Sequence, residues 1–157
     1  MKNQKQDKNP YPKFAIIMAT SFVIMYLVMF LNVASSDHIL NSITRVYTTT
    51  LMISAMAITM LLFMWKMYPN KNTNYAIIAF AAVTFFGTIF LLRTQSFVGD
   101  MQWMKAMIPH HSSAIMTSSN ANIKDPEVKK LADDIIEAQE REIAQMKQMI
   151  DRLENEK

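Results

Sequence analysis

Three thioethers and two imidazoles fall close together in this chain. Met101, Met104 and Met107 precede Pro109, His110 and His111 follow it, and Met116 lies just beyond. On a helix turning 100° per residue, Met104, Met107 and His111 lie within about 60° of one another. His110 flanks them beside Met107. Thioethers select monovalent copper, and imidazole also suits copper. A copper(I) site is the chemistry this cluster would support. The chain has no Cys, which removes thiolate ligands, thiol nucleophiles and disulfides. The competing reading is packing. Met fills irregular gaps in cores, so a Met stripe at helical spacing is ordinarily core. Both readings stand on the residues alone.

The elements that would position these residues are helices. Phe97, Met101, Met104, Ile108, His111 and Ile115 step by four and three, the spacing of a packed seam. Pro109 cannot donate to the carbonyl of Lys105, so a kink is expected there. Thr117, Ser118, Ser119 and Asn120 read as a polar loop. Asp125 suits an N-cap, Pro126 the first helical position and Glu127 the positive end of the helix dipole. Ala132, Ile136, Gln139, Ile143, Met146, Ile150 and Leu153 carry a second seam. Residues 94–157 thus predict an antiparallel helical hairpin. Gln139 and Glu142 add polar candidates on the facing helix, and Met146 a further thioether. The candidate metal ligands are Met104, Met107, His110, His111 and Met146, with Gln139 and Glu142 as ligands or supports of the histidines.

The rest of the chain reads as membrane-spanning. Its 157 residues are 51% hydrophobic and only 18% charged, where a soluble domain carries about a quarter charged residues. Between Phe14 and Leu92 the charged residues are Asp37, Arg45, Lys66 and Lys71. Residues 14–34, 46–65 and 75–92 are each apolar over roughly the 20 residues that a bilayer core demands. Residues 1–93 are therefore expected to form a membrane region, with the hairpin of 94–157 following it. Lys2, Lys5, Lys8 and Lys13 in the N-terminal arm, with Lys66 and Lys71 in the second loop, place those segments in the cytoplasm. The first loop and the hairpin are then outside a bacterial inner membrane. The first apolar run is long for a signal peptide, so an uncleaved anchor is expected. Met52, Met56, Met60 and Met64 form a ladder along the second span, more simply read as apolar filler than as an ion path. His38, in the first loop, is expected to be solvated.

Asp100 through Ile150 resembles the domain-of-unknown-function family 305, a helical family of ferritin-like type. The resemblance rests on Asp100, Met104, Met107, Ile108, Pro109, His110, His111, Ala114 and Met116. The second helix adds Leu131, Ala132, Ile135, Ile136, Gln139, Glu142, Ile143 and Met146. It implies an extracytoplasmic helical bundle, with copper binding or copper tolerance in some members, and it implies no enzyme. The longer members hold two hairpins. With one hairpin here, a four-helix bundle needs two chains.

The expected fold is therefore all-α: three transmembrane helices followed by a hairpin that is half of a ferritin-like bundle. The expected function is copper(I) sequestration or delivery by a membrane-anchored binding protein, with a copper transport partner. The alternative is a structural module that only dimerises. A homodimer through the hairpin is expected, and Ile143→Asp, in the middle of the second seam, is expected to break it. A di-metal oxidase needs Glu-x-x-His motifs, and the chain has none. Nucleic-acid binding has no support, because the net charge of +3 comes from the arm and loops. The tail from Thr94 carries eight basic and eleven acidic residues.

Overall fold

The computed structural model describes residues 9–156. Lys2, Lys5 and Lys8 of the basic arm lie outside the described residues. The described chain is all-helical. Five α-helices follow in order: α1 Tyr11–Val28, α2 Ile43–Phe63, α3 Lys71–Thr94, α4 Asp100–Asn120 and α5 Pro126–Asn155, with short 3₁₀ turns at Ser36–His38 and Trp65–Met67.

Helices α1, α2 and α3 are long and apolar enough to cross a membrane. Their starts follow local chemistry. Ser42 accepts a hydrogen bond from the Arg45 amide and Asn70 one from the Thr73 amide, each satisfying an orphan donor of a first turn. The first span stops earlier than its apolar run suggests. The helix ends at Val28 rather than near residue 34. The freed carbonyl of Met29 accepts from the Arg45 guanidinium at 2.6 Å. Phe14, Met18, Ala57, Leu61, Tyr68 and Ala81 form the core shared by the three helices. Met56, Met60 and Met64 pack against that core, as filler does.

Helices α4 and α5 run antiparallel. Lys105 pairs with Glu154 near one end and His111 with Glu142 further along. Met104, Ile108, Ile115, Ile143, Met146 and Ile150 form their common core, and Leu40 of the first loop packs against it. The Asp125 carboxylate caps α5 by accepting from the Glu127 and Val128 amides at 2.9 and 3.0 Å, with Pro126 in the first turn. Burying these side chains stabilises by about 1.5–3 kcal/mol each relative to exposure.

Three details depart from the sequence reading. Phe97 is not on the α4 seam: it sits before the helix at φ 63°, 80% exposed. Helix α4 continues through Thr117 to Asn120, where the Thr117 hydroxyl donates to the Ser113 carbonyl instead of leaving the helix. Ile143 is buried within the hairpin of a single chain, at 3% exposure. Replacing it by Asp would therefore unfold the hairpin before it reported on association.

The hairpin and the first loop lie at the same end of the three apolar helices. Asn32 donates to Ser113 at 2.9 Å, the Ile43 amide to Gln102 at 3.0 Å and the Tyr47 hydroxyl to the Ser96 carbonyl at 2.8 Å.

Candidate metal centre

His111 projects from α4 toward α5, and both of its ring nitrogens are engaged. Nδ1 lies 3.0 Å from the carbonyl oxygen of Met107, one turn back on the same helix. A carbonyl only accepts, so Nδ1 carries the hydrogen. Nε2 lies 2.7 Å from Oε2 of Glu142 on α5. A doubly protonated ring donates at both positions. The 2.7 Å contact is a direct hydrogen bond with no room for a metal ion between its two atoms, so a metal at Nε2 would have to displace Glu142. Fixing one ring nitrogen by a backbone carbonyl is how proteins select the other for a metal. The ring is 12% exposed, whereas the Glu142 side chain is 46% exposed. The pair is therefore open to solvent from one side.

The thioethers stand in a graded relation to this ring. Met107 is partly buried and packs against the hairpin core. Met104 and Met146 lie within that core, at 4% and 6% exposure. His110 faces elsewhere. It is exposed, its ring centroid is 6.0 Å from that of His111, and it lines a cavity between α4, the end of α1 and the start of α2. The structure thus brings together His111, Glu142 and the Met107 carbonyl, while Met104 and Met146 lie in the core between the two helices. It sets His110 on the adjoining flank. Gln139, on the facing helix, is half-buried.

The donor set decides which metal would suit. Among the described residues no three His, Asp or Glu side chains converge to hold an ion. A zinc or di-iron centre assembled from hard ligands therefore has no frame here. A metal at His111 that also took thioethers would have a donor mixture favouring copper(I). The residues fit copper(I) if Nε2 leaves Glu142 and a core Met turns outward.

Two residues beside this centre carry a role that the sequence did not reveal. Ser112 is fully buried and accepts from the Ala34 amide at 2.7 Å. Its hydroxyl lies 2.8 Å from His38 Nδ1. His38 is thus packed against α4 rather than solvated, with its side chain 13% exposed. Burial pushes the His38 imidazole below its ordinary pKa, and Lys147 adds to this while Asp37 opposes it. Asp37 pairs with Lys147 of α5 and accepts from Ser35. Those two hydrogen bonds, Lys147 first, hold its carboxyl far below the usual carboxylate range. No local pattern marks this network, because its members lie far apart in the chain.

Residues 91–150 match the model of the family described as a domain of unknown function (DUF305). An uncharacterized protein of Acanthamoeba polyphaga mimivirus is 45% identical over 65 residues, which is 40% of this chain and 43% of that protein. The match therefore spans less than half of the relative's length. No solved structure matches this chain.

Proposed function

We propose, from the premise that residues 91–150 are a DUF305 domain, that this chain is a membrane-anchored metal-binding protein that sequesters or delivers copper(I) outside the cytoplasm. The observation that carries the reading is the His111 ring: its Nδ1 is fixed by the Met107 carbonyl and its Nε2 is aimed at α5. In this reading His111 is the anchoring ligand, and Met107 is the nearest thioether in the chain. Met104 and Met146 complete a soft donor set from beneath, and His110 captures the ion from the flank. Glu142 supports the ring when no metal is held. Bound copper(I) would supply no catalytic step, and the protein would act as a binder, not as an enzyme. The basic residues beside the spans favour a bacterial inner membrane with the N-terminus inside and the hairpin outside. A copper transporter in the same membrane is the natural partner.

A structural reading also has a specific observation in its favour. Met104 and Met146 are core residues by burial, so they need no metal to account for them. Copper(I) titration of the full chain in lipid nanodiscs under reducing conditions separates the two. On the metal reading, His110→Ala with His111→Ala weakens binding at neutral pH by at least tenfold while helix content is kept. Wild-type affinity in that double variant would leave the cluster as packing.

A further inference from the structure

The outer end of α2 holds a cation that the protein itself does not neutralise. Arg45 is the one charged residue in α2 and lies in its first turn. One guanidinium N–H donates to the Met29 carbonyl, and the group stacks 3.9 Å from the centroid of the Phe30 ring. The other N–H groups have no hydrogen-bond partner among the described residues, and no carboxylate pairs with Arg45 there. A half-buried guanidinium without a counter-charge is costly unless something supplies one.

The space beside it is built for an anion. A cavity of about 680 Å³ opens between the outer ends of α1 and α2 and the flank of α4. Its polar lining includes Asn32, Ser42, Arg45, Thr48 and Ser113, and no Asp or Glu lines it. The first turn of α2 carries no acidic residue, so its positive dipole end adds to the field.

The position in the fold selects the source of the anion. Val28 and Met29, where α1 ends, form the floor of the cavity together with the first turn of α2. Both helices are long enough to cross a membrane, so the cavity sits at the level where phosphate headgroups lie. Below it on α1, Ile24, Leu27 and Val28 share one exposed face, where acyl chains would run. The volume falls within the range of small-ligand pockets, about 300–1,000 Å³. It admits a headgroup but not a pair of acyl chains.

We propose that this cavity binds the phosphate group of a phospholipid headgroup, with Arg45 as its cationic pole and Asn32 and Ser113 as further hydrogen-bonding groups. Arg matches phosphate by paired N–H donors, which Lys reproduces only as a point charge. The inference is independent of copper and rests on α1 and α2 crossing a membrane.

Native mass spectrometry of the full chain in detergent micelles tests it, with phosphatidylglycerol, diacylglycerol and inorganic phosphate as separate additions. The expected result is one retained phosphatidylglycerol per chain, no retained diacylglycerol, and no displacement of the lipid by millimolar phosphate. Arg45→Gln should reduce retention at least tenfold and Arg45→Lys less. Circular dichroism should be unchanged in both, and copper(I) titration of Arg45→Gln should match wild type. Equal retention by wild type and Arg45→Gln, or equal retention of diacylglycerol and phosphatidylglycerol, would overturn the site. Displacement of the lipid by inorganic phosphate would overturn the lipid assignment in favour of a soluble anion.

Discussion

The Nδ1 atom of His38 lies 2.8 Å from the hydroxyl oxygen of Ser112, across 74 residues of chain. The Ser112 hydroxyl accepts from the Ala34 amide and is hydrogen-bonded to the imidazole. His38 Nε2 lies 3.7 Å from Asp37, which pairs with Lys147 on α5. One short loop between the first two spans therefore grips both helices of the hairpin, immediately beside His111.

Ser112→Ala should loosen this grip. The Ala34 amide and the His38 ring would then face a methyl group. A buried polar group left without its partner costs about 1–3 kcal/mol. Hydrogen exchange at Ala34 should speed up, and thermal unfolding in detergent should come earlier. Ser113→Ala, which removes only the exposed Asn32 contact, is the control. If the two variants behave alike, the Ser112 network does not hold the loop.

Acid should release the loop. The folded His38 pKa lies below the ordinary 6.5, so the undocked state binds more protons between those values. The stabilisation is fully present above about 6.5 and is lost as pH falls through the folded pKa. Asp37 keeps its charge through that window, because its folded pKa lies below the ordinary 3.8. Its own contribution is present above 3.8 and fades only at lower pH. Asp37 and Lys147 face His38, and Glu140 lines the same cavity. Protease cleavage within residues 34–42 should therefore rise below about pH 6.5 in wild type. His38→Asn should flatten the profile, and an unchanged profile would assign the acid response to another group.

Self-association is better tested on the open face of the hairpin than in its core. Leu131 and Met149 are 58% and 48% exposed, on the side of α5 that carries Glu142. If a second hairpin covers that face, Leu131→Asp with Met149→Glu should give monomers with full helix content. Ile143→Asp should instead lose helix, since burying a carboxylate costs several kcal/mol. Analytical ultracentrifugation of the full chain in detergent reads both. A wild-type chain that stays monomeric at high concentration would remove the dimer.

Glu142→Gln separates the ring's support from its metal. The pair is open to solvent on the Glu142 side, so its loss should cost at most about 1 kcal/mol. On the copper reading this change alters copper(I) affinity far less than His111→Ala does. A larger loss from Glu142→Gln than from His111→Ala would make the carboxylate the principal ligand and argue for a harder metal.

Much of this architecture is readable in the sequence, and the failures have physical causes. Three apolar runs announce three long helices, and Asp125 with Pro126 announces the start of α5. Helix ends are harder to read, because a distant group decides them. Arg45 takes the Met29 carbonyl where the apolar run alone would continue. The Thr117 hydroxyl finds a carbonyl of its own helix, so a polar stretch stays helical. At the candidate centre, helical spacing singles out His111 and flags Glu142 as a possible partner. The Ser112 network is invisible to spacing, because nothing near Ala34 or His38 in sequence points to a serine so far downstream.

That separation also sets an order of events during synthesis. Ala34 and Ser112 are 78 residues apart. At about 5–20 residues per second, a ribosome takes roughly 4–16 s to bridge the interval. Through that time the loop has been made and its acceptor has not. The docking of Ala34 and His38 on Ser112 is thus a late closing step, taken after α2 and α3 have been synthesised. A nascent chain arrested before α4 emerges should hold its three apolar helices with this loop still undocked.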